Sequence, residues 1–213
     1  MRLVAKNNSI SASVIKRLPR YYSYLEELMT ENVERISSKG LAERMKTTAS
    51  QIRQDLNCFG GFGQQGYGYN IKALHDEIGN ILGVNKEYKA ILIGAGNLGT
   101  AIASQISFEK KGCKLNAIFD IDSNIIGKSI ADIEVSDINQ VEQYCKENSP
   151  SIAILCIPKS NAFEIAKKLI ELGVKSFWNF SHFDLNLNFD NIVVENVHLG
   201  DSLLTLTYKT KNQ

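Results

Sequence analysis

Cysteine, proline, histidine and long apolar runs are all scarce in this chain, and each scarcity removes a class of protein. The four cysteines, Cys58, Cys113, Cys145 and Cys156, are widely spaced and form no C-x-x-C pair, so neither a disulfide framework nor a zinc knuckle is expected. They read as buried free thiols, and no metal site is expected. No apolar run approaches the roughly 20 residues needed to cross a bilayer, and the N-terminus lacks the apolar stretch of a signal peptide. The expected location is the cytoplasm, with no membrane partner. Neither charge sign dominates, with 24 Lys and Arg against 23 Asp and Glu. The distribution is nevertheless uneven: residues 1 to 84 hold 11 basic against 8 acidic groups, and residues 85 to 213 hold 13 against 15. Arg2, Lys6, Lys16, Arg17 and Arg20 precede the first carboxylate, an arrangement suited to an anionic partner.

The first third has the periodicity of a small helical domain. Tyr21, Tyr24, Leu25 and Leu28 recur at helical intervals, which predicts a helix from Arg20 to Met29 with Pro19 at its start. The serines of Ile36-Ser37-Ser38 are candidate caps for a second short helix carrying Leu41, Ala42 and Met45. After a turn at Lys46 and Thr47, Thr48-Ala49-Ser50-Gln51 has the form of a reciprocal capping box. In the helix that it opens, Ala49, Ile52 and Leu56 share a stripe, whereas Ser50, Gln51 and Gln54 face away and Arg53 lies on a flank. Amides, a hydroxyl and a guanidinium match the donors and acceptors of major-groove base edges, and a helix N-terminus accepts a phosphate. The segment Gly60-Gly61-Phe62-Gly63-Gln64-Gln65-Gly66-Tyr67-Gly68-Tyr69 places five glycines among aromatics, as in a tight hairpin. A hairpin directly after a recognition helix is a wing. A further helix through Ile71, Leu74, Ile78 and Leu82, stopped by Gly83, brings the expected domain boundary to residue 84. Candidate DNA contacts are Lys16, Arg17, Arg20, Thr47, Thr48, Ser50, Gln51, Arg53, Gln54, Gln64, Gln65 and Tyr67.

Residues 85 to 197 alternate strand and helix signals, the pattern of an α/β parallel sheet. The apolar run Tyr88 to Ile93 leads into Gly94-Ala95-Gly96-Asn97-Leu98-Gly99 and then a helix, so the G-x-G-x-x-G fingerprint of a Rossmann dinucleotide-binding domain stands in its required context. About twenty residues beyond the last glycine, a second strand ends in Asp120, where a carboxylate can hydrogen-bond ribose hydroxyls. Ile121-Asp122-Ser123 offers no arginine for a 2′-phosphate, which favours NAD(H). Cys156-Ile157-Pro158 and Asn179-Phe180-Ser181 close later strands on the edge where such sheets bind ligands. The candidate cofactor residues are therefore Gly94, Ala95, Gly96, Asn97, Leu98, Gly99, Asp120, Ile121, Cys156, Ile157, Pro158, Asn179 and Phe180. The amphipathic segment from His198 to the C-terminus either folds back or exchanges with a partner subunit. No catalytic residue is expected: His75, His182 and His198 form no obvious pair with a carboxylate, and residues 87 to 213 leave no room for a second catalytic domain.

Taken together, Arg17-Leu18-Pro19-Arg20-Tyr21-Tyr22, Ile36-Ser37-Ser38, Thr48-Ala49-Ser50-Gln51-Ile52-Arg53-Gln54-Asp55-Leu56, Phe59-Gly60-Gly61-Phe62-Gly63 and the glycine fingerprint resemble the Rex family of redox-sensing repressors. The resemblance implies a winged helix-turn-helix domain followed by a Rossmann domain. It implies a homodimer with exchanged C-terminal helices, which binds double-stranded operator DNA and is released from it by NADH. The chain departs from that pattern in several places. Gln65 stands where a basic wing residue is usual, and Ser23, Gln105 and His198 occupy positions where an arginine, a tyrosine and an aspartate couple the domains. The turn Asn179-Phe180-Ser181-His182 replaces Asn-Phe-Ala-Pro. Two other readings stay open on the residues alone: a small NAD-dependent oxidoreductase with an N-terminal docking domain, and a CoA-binding regulatory module.

Overall fold

A stripe of Val14, Leu18, Tyr21, Leu25 and Leu28, all buried, runs the length of the first helix, α1 (Ala12–Thr30). This helix starts eight residues before the expected Arg20, with Pro19 inside it. Pro19 is exposed, so the carbonyl that loses its helical partner faces water. The long apolar stripe outweighs the proline penalty. The computed structural model describes residues 10–60, 63–64 and 67–211 of the chain, which form two compact units, Met1–Asn85 and Lys86–Gln213.

In the first unit, α1 is followed by β1 (Arg35–Ile36), α2 (Ser38–Met45), α3 (Ala49–Asn57), β2 (Gly63–Gln64), β3 (Gly68–Asn70) and α4 (Ile71–Leu82). The Ser37 side chain accepts from the Gly40 N–H and caps α2; Lys46 then turns the chain in the left-handed conformation. The strand order is β1-β3-β2, antiparallel throughout. Helices α1 to α4 and Tyr69 of β3 enclose one core, to which Leu41, Ile52, Leu56, Ile71, Leu74 and Ile78 contribute. This is a winged helix-turn-helix, with α3 as its third helix and β2-β3 as its wing.

The second unit runs β4 (Tyr88–Ile93), α5 (Asn97–Gln105), β5 (Cys113–Asp120), β6 (Ser129–Ile130), β7 (Ile133–Asp137), α6 (Val141–Asn148), β8 (Ile152–Leu155), α7 (Lys159–Glu171), β9 (Ser176–Asn179), β10 (Val193–Asn196) and α8 (Leu199–Lys211). The sheet order is β10-β9-β8-β4-β5-β7-β6. Every pairing is parallel except β6 with β7, an antiparallel edge hairpin not anticipated from the sequence. Ile91 and Ile93 of β4 enter a core beneath α6 and α7, whereas Ala90 and Leu92 enter a core on the opposite face with Ile102 and Ala103 of α5. Such two-sided burial is why these strands read as continuous apolar runs. On the α5 side the sheet is incompletely covered. A cavity of about 680 Å³ lies against Ile152, Ile154 and Trp178, near the end of α5. Helix α8 buries none of its residues, with Leu199, Leu203, Leu204 and Leu206 all 58 to 70 % exposed.

Among the cysteines, Cys145 is buried, Cys113 and Cys156 are half-buried, and Cys58 is exposed at the end of α3. The expectation of a buried thiol is thus corrected at Cys58, because the helix stripe ends at Leu56. No group of three or more metal-binding side chains occurs among the described residues. None of their helices is long and apolar enough to cross a membrane.

Candidate functional site

The strand order reverses beside β4, between β5 and β8, and the carboxyl edge there opens into a cleft of about 250 Å³. Gly94, Gly96, Asp120, Ile121, Cys156, Ile157 and Pro158 line it, all of them predicted from the sequence. The three fingerprint glycines have three different reasons. Gly94 has φ +96°, and a Cβ there would stand 2.5 Å from the Cys156 carbonyl oxygen. At Gly99 a Cβ would overlap the Gly94 carbonyl, so α5 could not pack this closely on the strand end. Gly96 is different: nothing lies within 4 Å of its missing side chain. The opening in front of Gly96 is where a phosphate can approach the N–H groups of the first α5 turn.

Asp120 shapes this turn. Its carboxylate accepts from the backbone N–H groups of Ala95, Ile121 and Asp122. The same group thereby ties the glycine turn to the end of β5 and keeps an acceptor at the cleft, with residual lone-pair capacity. Ala95 itself is buried, whereas Asn97 and Leu98 are exposed on the first turn of α5. Burial pushes the Cys156 thiol up to about 12, so the sulfur at this wall is a small apolar group and not a nucleophile.

At Asn179, expected among the cofactor residues, the side chain is held by the protein itself. It is fully buried and fully used: Nδ2 donates to the Phe183 carbonyl and to Asn196 Oδ1, and Oδ1 accepts from the Ser181 N–H and hydroxyl. Asn179 holds the turn after β9 against β10, leaving no donor or acceptor for a ligand. Phe180 packs edge-on against Trp178, with ring centroids 4.9 Å apart, in the core on the α5 face. Sequence reasoning missed Ile93, Ile138, Asn161 and Ile165, which also line the cleft. Ile138 directly follows the end of β7, and Asn161 lies in the first turn of α7 after Pro158. Counting one residue past each strand end and one turn into each helix would have found these two.

In the other unit, Thr48 caps α3, its hydroxyl accepting from the Gln51 N–H at 3.1 Å. The reciprocal half of the expected capping box is not made, because the Gln51 amide donates instead to Asp55 Oδ1 at 2.8 Å. Asp55 is 0 % exposed. It also accepts two hydrogen bonds from Arg17, both 2.7 Å, and one from the Tyr21 hydroxyl at 2.6 Å. Arg17, expected among the DNA contacts, is thus committed inside the domain through Nε and Nη2. Burial pushes the Asp55 carboxyl up, but the bonds from Arg17, Tyr21 and Gln51 prevail and hold it below the ordinary range.

Arg20 donates to the Met45 carbonyl and lies over the Tyr24 ring, and Arg53 donates to the Ser38 hydroxyl. Lys16, Thr47, Ser50 and Gln54 are exposed, as is Tyr67 at 70 %. Gln64 is placed as wing backbone only, and Gln65 lies outside the described residues. Two cations not anticipated join this set: Lys46, exposed in the turn before α3, and Arg35, exposed on β1 and donating to the Tyr67 carbonyl. Of the three divergent coupling positions, Ser23 bonds its hydroxyl back to the Pro19 carbonyl and Gln105 borders the sheet-face cavity. His198 stacks on His182 at 4.9 Å.

Comparison with known proteins decides what these two units are together. A family model described as "Putative DNA-binding protein N-terminus" matches residues 9–57, and one described as "CoA binding domain" matches residues 85–183. The chain is 53 % identical to the redox-sensing transcriptional repressor Rex of Thermoanaerobacter pseudethanolicus, over 99 % of this chain and 93 % of the relative. To the Rex of Clostridium novyi it is 54 % identical, over 95 % and 96 % of the two chains. The chain belongs to the Rex family of redox-sensing transcriptional repressors. Among solved structures, the Rex-family repressor RSP in complex with beta-NAD+ and operator DNA superimposes with a TM-score of 0.89 at 52 % identity, covering 97 % of this chain and 94 % of that one. RSP in complex with beta-NADH gives 0.87 at 50 % identity, covering 97 % and 96 %.

Proposed function

We propose that this chain is a DNA-binding transcriptional repressor that senses the NADH/NAD⁺ ratio in the cytoplasm and is released from operator DNA by NADH. The observation that carries the reading is full-length similarity above 50 % identity to Rex repressors, including one solved with NAD⁺ and operator DNA and with NADH. The cleft fits that cofactor. The open space at Gly96 and the first turn of α5 would take the pyrophosphate, and Asp120 the ribose hydroxyls. Ile121 beside Asp120 offers no cation for a 2′-phosphate. The side formed by Cys156, Ile157 and Pro158 is weakly polar, and such surroundings favour the neutral reduced ring over the cationic oxidised one.

On the DNA side, α3 would enter the major groove, with Ser50, Gln51, Arg53 and Gln54 toward base edges. Thr47, Thr48, Lys16 and Arg20 would take phosphates, and the wing with Tyr67 would follow the adjacent backbone. A homodimer is supported by two complementary features: leucines of α8 with no cover, and an apolar sheet face with a large cavity. Exchange of α8 between subunits would satisfy both. NADH would then act by favouring a dimer geometry in which the two α3 helices no longer match successive grooves.

The test is operator binding by fluorescence anisotropy at fixed salt, titrated with NADH against excess NAD⁺. Release by NADH is the expected result, and equal effects of the two cofactors would refute the proposal. A CoA ligand is suggested by the family model over residues 85–183. Asp120 opposes it, since CoA carries a 3′-phosphate on the ribose that this carboxylate would face. Calorimetry with CoA beside NADH separates the two.

A further inference from the structure

The four hydrogen bonds to Asp55 come from three side chains on two helices, and one of the three belongs to the surface that reads DNA. A carboxylate has two oxygens and about four lone-pair sites. In this structure Oδ1 accepts from Arg17 Nη2 and Gln51 Nε2, and Oδ2 accepts from Arg17 Nε and the Tyr21 hydroxyl. Asp55 is therefore saturated. It is buried, it is held ionised, and an ionised carboxylate only accepts. A carboxamide placed against it has one permitted orientation, nitrogen inward, because turning the amide would set its oxygen against a full acceptor. The orientation of Gln51, otherwise ambiguous for any amide, is fixed here by its neighbour's chemistry. The Oε1 atom of Gln51 has no hydrogen-bond partner among the described residues.

We infer that the Arg17–Tyr21–Asp55 cluster is a positioning device for position 51 of the recognition helix: it holds the Gln51 nitrogen inside the domain and leaves its oxygen to meet DNA. An unconstrained glutamine pairs with adenine through two bonds, accepting from N6 and donating to N7. Gln51 held in this way commits one of its two N–H donors to Asp55 and presents its oxygen as an acceptor. It selects a base edge that presents an exocyclic amine in the major groove, adenine N6 or cytosine N4. Arg17 and Tyr21 act through Asp55 and touch no base.

This inference rests on the DNA-binding reading of α3, and the experiment separates the two. A palindromic duplex is first recovered from a random pool with the full-length chain. Analogues that delete one exocyclic amine are then placed at each base pair of a half-site, and binding is compared for the wild type and Gln51→Met. One amine deletion is expected to weaken wild-type binding about three- to tenfold, the range of a single neutral hydrogen bond. The same deletion should have no effect on Gln51→Met. Absence of coupling between Gln51→Met and any amine would overturn the inference while leaving the repressor reading intact. Failure of the wild type to select any duplex would defeat both.

A second variant tests the positioning role. In Asp55→Asn the acceptor is no longer obligatory, so the Gln51 amide can turn, and sensitivity to the amine should fall. Should Asp55→Asn fail to fold, Tyr21→Phe, which removes one neutral donor, should keep the wild-type amine dependence. Loss of that dependence in Tyr21→Phe with unchanged phosphate-dependent salt slope would overturn the inference as well.

Discussion

Substituting the fingerprint glycines one at a time should separate folding from cofactor binding, because their surroundings differ. In Gly96→Ala the new methyl meets nothing within 4 Å and the backbone, at φ −66° and ψ −170°, suits any residue. The apoprotein should melt within about 1 °C of the wild type, as for a surface substitution away from packing. The methyl nevertheless fills the space through which a phosphate oxygen must come within about 2.9 Å of a backbone N–H. Losing one charge-assisted hydrogen bond, about 1.5 to 3 kcal/mol, weakens NADH binding by about 10- to 150-fold. In Gly99→Ala the Cβ overlaps the Gly94 carbonyl oxygen and presses within 3.2 Å of a Leu92 methyl. Backbone must shift, which costs about 1 to 3 kcal/mol and lowers Tm by about 3 to 10 °C. Scanning fluorimetry with and without NADH measures both quantities on each variant. An apo Tm for Gly96→Ala as low as that of Gly99→Ala, or an unchanged NADH affinity, would refute the assignment of that space to the pyrophosphate.

Asp120→Ala removes both the proposed ribose acceptor and the anchor of the glycine turn, so NADH affinity should fall at least about tenfold while the preference over NADPH narrows; calorimetry with both cofactors reads this. Arg17→Met leaves the Asp55 charge buried without its cationic partner, with only the neutral donors Tyr21 and Gln51. After discounting for the partial exposure of Arg17, the loss at pH 7 is about 2 to 3 kcal/mol by urea denaturation. The Asp55 carboxyl is held below its ordinary value, so the stability it contributes is present above the unfolded carboxylate pKa and is lost as pH falls through the lower folded value. The gap between the variant and the wild type should therefore close in acid. In the dimer interface proposed for α8, Leu203→Asp with Leu206→Asp should shift sedimentation from two chains toward one, since each leucine buried is worth about 1.5 to 3 kcal/mol. At pH 8, iodoacetamide should modify exposed Cys58 first and Cys156 last, its thiol being pushed up to about 12.

Most of the architecture was legible because it rests on local signals. Ser37, Thr48, Asn70 and Gly83 cap helices as their types suggest. The two-sided burial of β4 was written as an unbroken apolar run, and the glycine turn sits between a strand and a helix as its spacing requires. What was not legible is non-local. Nothing near Arg17 in sequence announces Asp55, 38 residues away, so a basic residue in a basic segment was read as a DNA contact. Pro19 reads as a helix start, and only the stripe through Val14 and Leu18, continued across it, shows that the tertiary core overrides that signal. Asn179 stands at the correct strand end for a ligand contact, but Phe183 and Asn196 saturate it, and their approach depends on the path of the chain after β9.

The cleft also shows how a dehydrogenase-like fold can read its cofactor without consuming it. Among the described lining residues its one carboxylate, Asp120, is spent on the glycine turn, and its one thiol, Cys156, is held protonated by burial. A sensor requires something else, a difference in affinity. A ligand shifts a two-state equilibrium only by the ratio of its affinities for the two states, however tightly it binds. In a symmetric dimer that ratio acts twice, so a tenfold preference of NADH for the DNA-released state would weaken operator binding by about a hundredfold. Such a preference, about 1.4 kcal/mol per site, lies within reach of the weakly polar wall made by Cys156, Ile157 and Pro158. Measuring NADH affinity in the presence and absence of operator gives the ratio directly. Equal affinities would place the redox signal elsewhere in the chain, whatever the strength of NADH binding.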